Sequence, residues 1–142
     1  MNDMLQIADH KNLKLTVEEQ VVCGSVIMCS GFTLEAIRSK SRTQDYVLAR
    51  SVLGLMLNEI GCSLTRAGEI VNRDHASILH YKRNHAQNLL YLKGYKDLYE
   101  SANLEHYTTH RVRTVDAMEK ELLIMQETLD KYKSTFVEIK NN

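Results

Sequence analysis

Ser63-Leu64-Thr65-Arg66-Ala67-Gly68-Glu69-Ile70-Val71-Asn72-Arg73-Asp74-His75-Ala76-Ser77-Ile78-Leu79-His80 is the stretch on which the fold turns. Ser63 is an N-cap residue ahead of a short apolar run, Leu64 to Val71. Asn72-Arg73 makes a turn. Asp74 is a second N-cap, and the helix it opens can continue through Leu90. Two helices joined by a few residues have the proportions of a helix-turn-helix. On the second helix Ile78, Leu79, Ala86, Leu89 and Leu90 fall on one side. Ser77, His80, Asn84 and Asn88 form a polar row on the other, with Arg83 nearby. That row carries no acid. Its side chains can reach base edges or phosphates, although a plain solvated face has the same pattern.

Working upstream, Gly61-Cys62-Ser63 interrupts a run from Tyr46 to Ile60 that is apolar on nearly every face, which predicts a central buried helix. Before it lies a basic turn, Arg38-Ser39-Lys40-Ser41-Arg42. Thr33 to Ile37 reads as a short helix, and Ser30-Gly31 as the end of another. Thr16-Val17-Glu18-Glu19 has capping-box spacing, so that first helix starts there and runs to about Cys29. Residues 1–15 are aperiodic and read as a lead-in.

Working downstream, residues 91–107 predict another amphipathic helix with Tyr91, Tyr95, Leu98 and Ala102 in stripe. Val115, Met118, Leu122, Met125, Leu129, Tyr132, Phe136 and Ile139 then alternate steps of three and four. That is a heptad seam. The flanking positions Glu119, Glu121, Gln126, Thr128, Lys133, Thr135 and Lys140 are polar. The expectation is a coiled coil between chains, giving a homodimer. Leu123, Ile124 and Val137 lie outside the seam and favour the other reading, a long amphipathic helix folded back on its own domain.

Composition agrees with an all-α fold. The 142 residues contain no Pro and only 6 Gly, too few turn-formers for a many-stranded sheet. Cys23, Cys29 and Cys62 form no C-x-x-C pair, and no basic-then-apolar leader opens the chain. The longest uncharged stretch, Gln20 to Leu34, falls short of a membrane span. The expectation is a cytoplasmic protein of a bacterial or phage-infected cell. Eighteen Lys+Arg balance eighteen Asp+Glu, but unevenly. Residues 31–93 hold nine basic and five acidic groups, a net of +4, between flanks of −2 each. A basic middle is compatible with nucleic acid.

Catalytic signals are poor, and the expectation is no enzyme, no cofactor and no metal. His75, His80 and His85 are five apart, which splays them around a helix. His106 and His110 are i, i+4, but no third ligand follows at a familiar spacing.

Taken together, Ser39-Lys40-Ser41-Arg42, Val47-Leu48-Ala49-Arg50, Ser63-Leu64, Gly68 and Arg73-Asp74-His75-Ala76-Ser77-Ile78-Leu79-His80 resemble the C-terminal DNA-binding domain of the bacterial replication initiator DnaA. That domain shares its helical arrangement with the Trp repressor. The resemblance covers about residues 16–90. It implies a DNA-binding domain over 16–93 and a helical arm over 94–142. It also implies roles by position. Arg42 matches the arginine that enters the minor groove of A·T-rich DNA. Lys40 and Arg50 match residues that touch the DNA backbone. Thr65 sits where the family has a proline at the major groove. Asp74, His75 and Ala76 match base readers, and Ser77 matches a phosphate-binding threonine. Arg73, His80, Arg83 and Asn84 complete the candidate surface.

The departures are Ala76 for Thr, Asn72 for Gly and Thr65 for Pro. One residue is also missing between Gly68 and Arg73, and another between Glu59 and Ser63. The target sequence therefore carries over less well than the fold. The chain also has no G-x-x-x-x-G-K-[ST], so no nucleotide partner is expected. The implied function is sequence-specific binding of double-stranded DNA, for replication-origin binding or transcriptional regulation, in a phage or other mobile element. The alternative is a protein-interaction module that keeps a relic helix-turn-helix and works through its C-terminal heptads.

Overall fold

The computed structural model describes residues 13–141, with side chains through residue 138. Residues 1–12 of the expected lead-in, and the side chain of Ile139 at the end of the seam, lie outside the described residues. All regular structure among the described residues is helical: α1 (Val17–Ser30), α2 (Leu34–Arg38), α3 (Gln44–Glu59), α4 (Leu64–Val71), α5 (His75–Tyr91) and α6 (Tyr95–Asn141). The chain divides into two compact units, up to Tyr107 and from Thr108.

The helix ends follow their capping chemistry. Thr16 accepts from the Glu19 amide while Glu19 accepts from the Thr16 amide, closing the box at α1. Gly31 ends α1 at φ 78°, the left-handed region that favours glycine. Thr33, Ser63 and Asp74 each cap their helix by accepting an amide three residues on.

The first unit is built around α3. Every residue from Leu48 to Leu57 is buried, and α1, α2, α4 and α5 all pack against it. A helix apolar all round needs neighbours all round, and the first unit provides them. Gly54 lets α5 approach closely: a Cβ there would lie 2.9 Å from Ile78 Cδ1 and 3.0 Å from the Tyr81 ring. Upstream, Leu13 and Leu15 are half-buried against the same core.

Two boundaries differ from the sequence reading. α5 ends at Tyr91, and Gly94 at φ 85° separates it from α6. The expected 91–107 helix is thus two pieces. Tyr91 is exposed, whereas Tyr95 and Ala102 are fully buried. The expected domain limit at 93 also falls too early. The first turns of α6 complete the first unit, because Tyr95 carries its ring into the core beside His85 and Tyr99. α6 then runs through residue 141 without a turn.

In the second unit every described side chain from His110 through Glu138 is exposed, including Val115, Met118, Leu122, Met125, Leu129, Tyr132 and Phe136. One helix alone has no surface on which to bury its own seam.

Candidate nucleic-acid interface

α4 and α5 pack on each other and on α3, and the turn between them is very tight. Asn72 occupies the left-handed region at φ 61°, and its amide N–H returns to the carbonyls of Gly68 and Glu69. Asn is the residue after glycine that best tolerates this conformation, so Asn72 keeps the turn without a glycine. Its side chain adds a bond, Nδ2 to the Arg38 carbonyl at 3.1 Å. Gly68 faces the same turn. A Cβ on it would sit 2.6 Å from the Arg73 carbonyl oxygen.

Arg38, Arg50 and Arg73 tie the basic turn Ser39–Thr43 to this motif. Arg38 is buried at the end of α2 and donates Nη1 to the Glu69 carbonyl at 2.8 Å and to that of Ile70. It thereby satisfies carbonyls that α4 leaves open at its C-terminus. Arg50, on α3, donates Nε to the Ile37 carbonyl at 2.7 Å and Nη2 to those of Ser39 (2.9 Å) and Ser41 (3.2 Å). Arg73 bridges its own turn and the basic one, Nη1 to the Asn72 carbonyl and Nη2 to the Ser39 carbonyl, both at 2.8 Å. The Ser39 carbonyl therefore receives two guanidinium groups. Burial lowers the Arg50 pKa, and the neighbouring Arg73 charge lowers it further.

This frame sorts the candidate residues. Lys40, Arg42, Thr65, Asp74, His75, Ala76, His80 and Arg83 are exposed, while Arg73, Ser77 and Asn84 are half-buried. Arg50 is 3% exposed with its head group occupied, so the expected backbone-contacting role is corrected: it shapes the turn from inside. Arg73 is likewise committed to two carbonyls. Asp74 Oδ1 accepts from the amide and the hydroxyl of Ser77, each at 2.9 Å. Those two bonds hold its carboxyl below the usual range, so it remains an acceptor at neutral pH. Asn84 Nδ2 is within 2.9 Å of the His80 carbonyl and 3.1 Å of the His80 ring, which joins two members of the polar row.

The inward face of α5 is rotated from the expected one. Ile78 is buried, and Tyr81 and Leu89 are packed on the core. His85 joins them, with Nδ1 2.7 Å from the Tyr95 hydroxyl. Ala86 and Leu90, expected inside, are exposed. A Tyr and a His lie inside because Gly54 makes room for one ring and α6 supplies a hydroxyl for the other. Histidine ranks as polar, and Tyr81 stands beside Lys82 and Arg83 in the sequence. The buried role of Arg38 was missed for the same reason. Its one sequence signal is its place next to Ile37 in the last turn of a helix.

A second buried cluster steadies α4 from behind. Glu19 accepts from Arg66 Nε at 3.0 Å and Nη2 at 2.8 Å, and from Cys62 Sγ at 3.4 Å. The Arg66 bonds pull the Glu19 carboxyl down to about 2 against the cost of burial. Burial pushes the Cys62 thiol up to about 11 and the Cys23 thiol up to about 12, so both stay protonated.

Among the described residues no three His, Cys, Asp or Glu side chains are grouped to hold a metal ion, and no helix is long and apolar enough to cross a membrane. No family model matches the chain, and no curated protein matches it in sequence.

Proposed function

We propose that the protein binds double-stranded DNA sequence-specifically, with the DnaA-like docking that the resemblance implies, and that its C-terminal seam joins two copies. The observation that carries this reading is the shared Ser39 carbonyl. Arg50 and Arg73 both bind it, so the turn that displays Lys40 and Arg42 is held against the first residues of α5. A cationic turn and a helix N-terminus kept in fixed register favour a single anionic ligand that meets both. A duplex does so, with α5 in the major groove and Arg42 in the adjacent minor groove. Ala76 and Thr65 stand where the family has threonine and proline, so the preferred site differs from the family's. A dimer would read a paired or inverted repeat. Replication-origin binding and transcriptional regulation both suit such a protein, and carriage on a phage or other mobile element belongs to the same proposal. Cytoplasmic DNA is the expected partner.

Selection of full-length protein on random duplex DNA, followed by titration at two salt concentrations, tests this. The expected result is an enriched A·T-rich motif whose affinity falls steeply with salt, by a logarithmic slope of about 0.9 per phosphate neutralised. Absence of enrichment would sink the specific reading. The exposed heptads favour a second reading, in which the chain binds a foreign helix through α6 and the helix-turn-helix is a relic. Binding through an apolar seam is insensitive to salt, which separates the two.

A further inference from the structure

The seam of α6 also carries information about direction. Take Leu122, Leu129 and Phe136 as a positions and Met118, Met125 and Tyr132 as d positions. Glu119, Gln126 and Lys133 then occupy the e flank, and Glu121, Thr128 and Thr135 the g flank. All six seam side chains are about half to two-thirds exposed, from 48% at Leu129 to 70% at Tyr132.

In a parallel pair each g residue faces the e residue five positions on in its partner. Those pairs are Thr114–Glu119, Glu121–Gln126 and Thr128–Lys133, none of which unites opposite charges. The two-fold would also set Tyr132 against Tyr132 and Phe136 against Phe136 in adjacent layers. Both large layers would crowd one end.

Reversing one strand brings a opposite d and e opposite e. With the two-fold crossing the seam midway between Met125 and Leu129, three kinds of layer form, each twice. Met125 faces the partner's Leu129, Leu122 the partner's Tyr132, and Met118 the partner's Phe136. Every aromatic meets a flexible aliphatic, which evens the layer volumes. On the flank, Glu119 faces the partner's Lys133 twice, and Gln126 faces its own copy. An isologous pair of this kind doubles each favourable contact.

We infer that the arm pairs with a second copy of the chain in antiparallel orientation, in the register that sets Glu119 against the partner's Lys133 and Gln126 against itself. This rests on the reading that two copies join through α6, and adds the direction and register.

The test uses the full chain with exposed Cys29 changed to serine. Gln126→Cys and Met118→Cys are treated separately with a short thiol-specific crosslinker. The antiparallel register crosslinks Gln126→Cys and leaves Met118→Cys unlinked, because the two Met118 positions then lie about 27 Å apart along the axis. A parallel pair reverses both results and overturns the inference. Charge exchange adds an independent arm. Glu119→Lys should weaken the dimer about tenfold, and Glu119→Lys with Lys133→Glu should restore it. No effect of the single change, beside an intact dimer, also overturns the register. A monomeric full chain in sedimentation equilibrium removes the pairing itself. A dimer crosslinked through Met118→Cys removes only the direction.

Discussion

α3 and the distal part of α6 are both rich in apolar side chains, yet they stand at opposite extremes of burial. From Leu48 to Leu57 nothing on α3 is exposed. Beyond Tyr107, each described apolar side chain of the α6 seam is exposed. The apolar groups of α3 are spread around the whole helix, so only a surrounding core covers them. On α6 a heptad seam runs from Val115 to Phe136 with Leu123, Ile124 and Val137 beside it, and in the proposed pairing a second helix would cover that seam. What separates the two helices is what surrounds them: α3 is enclosed by four other helices, whereas nothing within the second unit covers the seam of α6.

The two regions should answer differently to truncation. Leu53→Ala should cost about 2–5 kcal/mol in a denaturant titration, because Leu53 is fully buried at the centre of the first unit. Leu122→Ala should leave the unfolding of that unit within about 0.5 kcal/mol and act on self-association instead. If Leu122→Ala destabilised the first unit as much as Leu53→Ala, the seam would belong to the core.

Acid should act on the first unit alone. Glu19 is held at about 2 by Arg66, well below an ordinary glutamate. A depressed carboxyl contributes stability above its unfolded value and loses it as pH falls towards its folded one. The first unit should therefore weaken between about pH 4.5 and pH 2, with on the order of 3 kcal/mol at stake. Glu19→Gln should remove most of that dependence when thermal unfolding is followed against pH. A wild-type profile that stays flat through this window would contradict the assignment.

Next come the paired arginines. Arg50→Ala frees the Ile37 and Ser41 carbonyls, leaves that of Ser39 to Arg73 alone, and should cost about 2 kcal/mol. Lysine should not rescue it, since one ammonium cannot reproduce the planar fork. Arg42 is exposed, so Arg42→Ala should leave thermal stability unchanged while weakening DNA binding and relaxing A·T preference at one edge of the selected site. Unchanged binding by Arg42→Ala would remove the DnaA-like docking mode. Deletion of residues 111–142 should leave a folded monomer in sedimentation, and a persistent dimer would move the interface elsewhere.

Much of the fold was legible because helix ends are written locally. Thr16 with Glu19, Gly31, Ser63, Asn72 and Asp74 each act on backbone groups within a few residues, so sequence alone located α1, α4 and α5 to within a residue or two. The heptads announced the seam for the same reason: periodicity is a property of one helix.

What needed tertiary structure was the use of side chains whose partners are distant in sequence. Arg50 and Arg42 look alike in a basic stretch. One lies 3% exposed against carbonyls 9 to 13 residues away, and the other stands in solvent. Tyr81 and His85 turned inward because Gly54 on α3 and Tyr95 on α6 made places for them. The caps of α1, α4 and α5 and the heptad stripe were legible from the residues alone, since those depend on neighbours three or four residues apart. Only the tertiary structure decided which charged groups were spent inside the fold and which stayed outside, because burial depends on what the rest of the chain brings alongside.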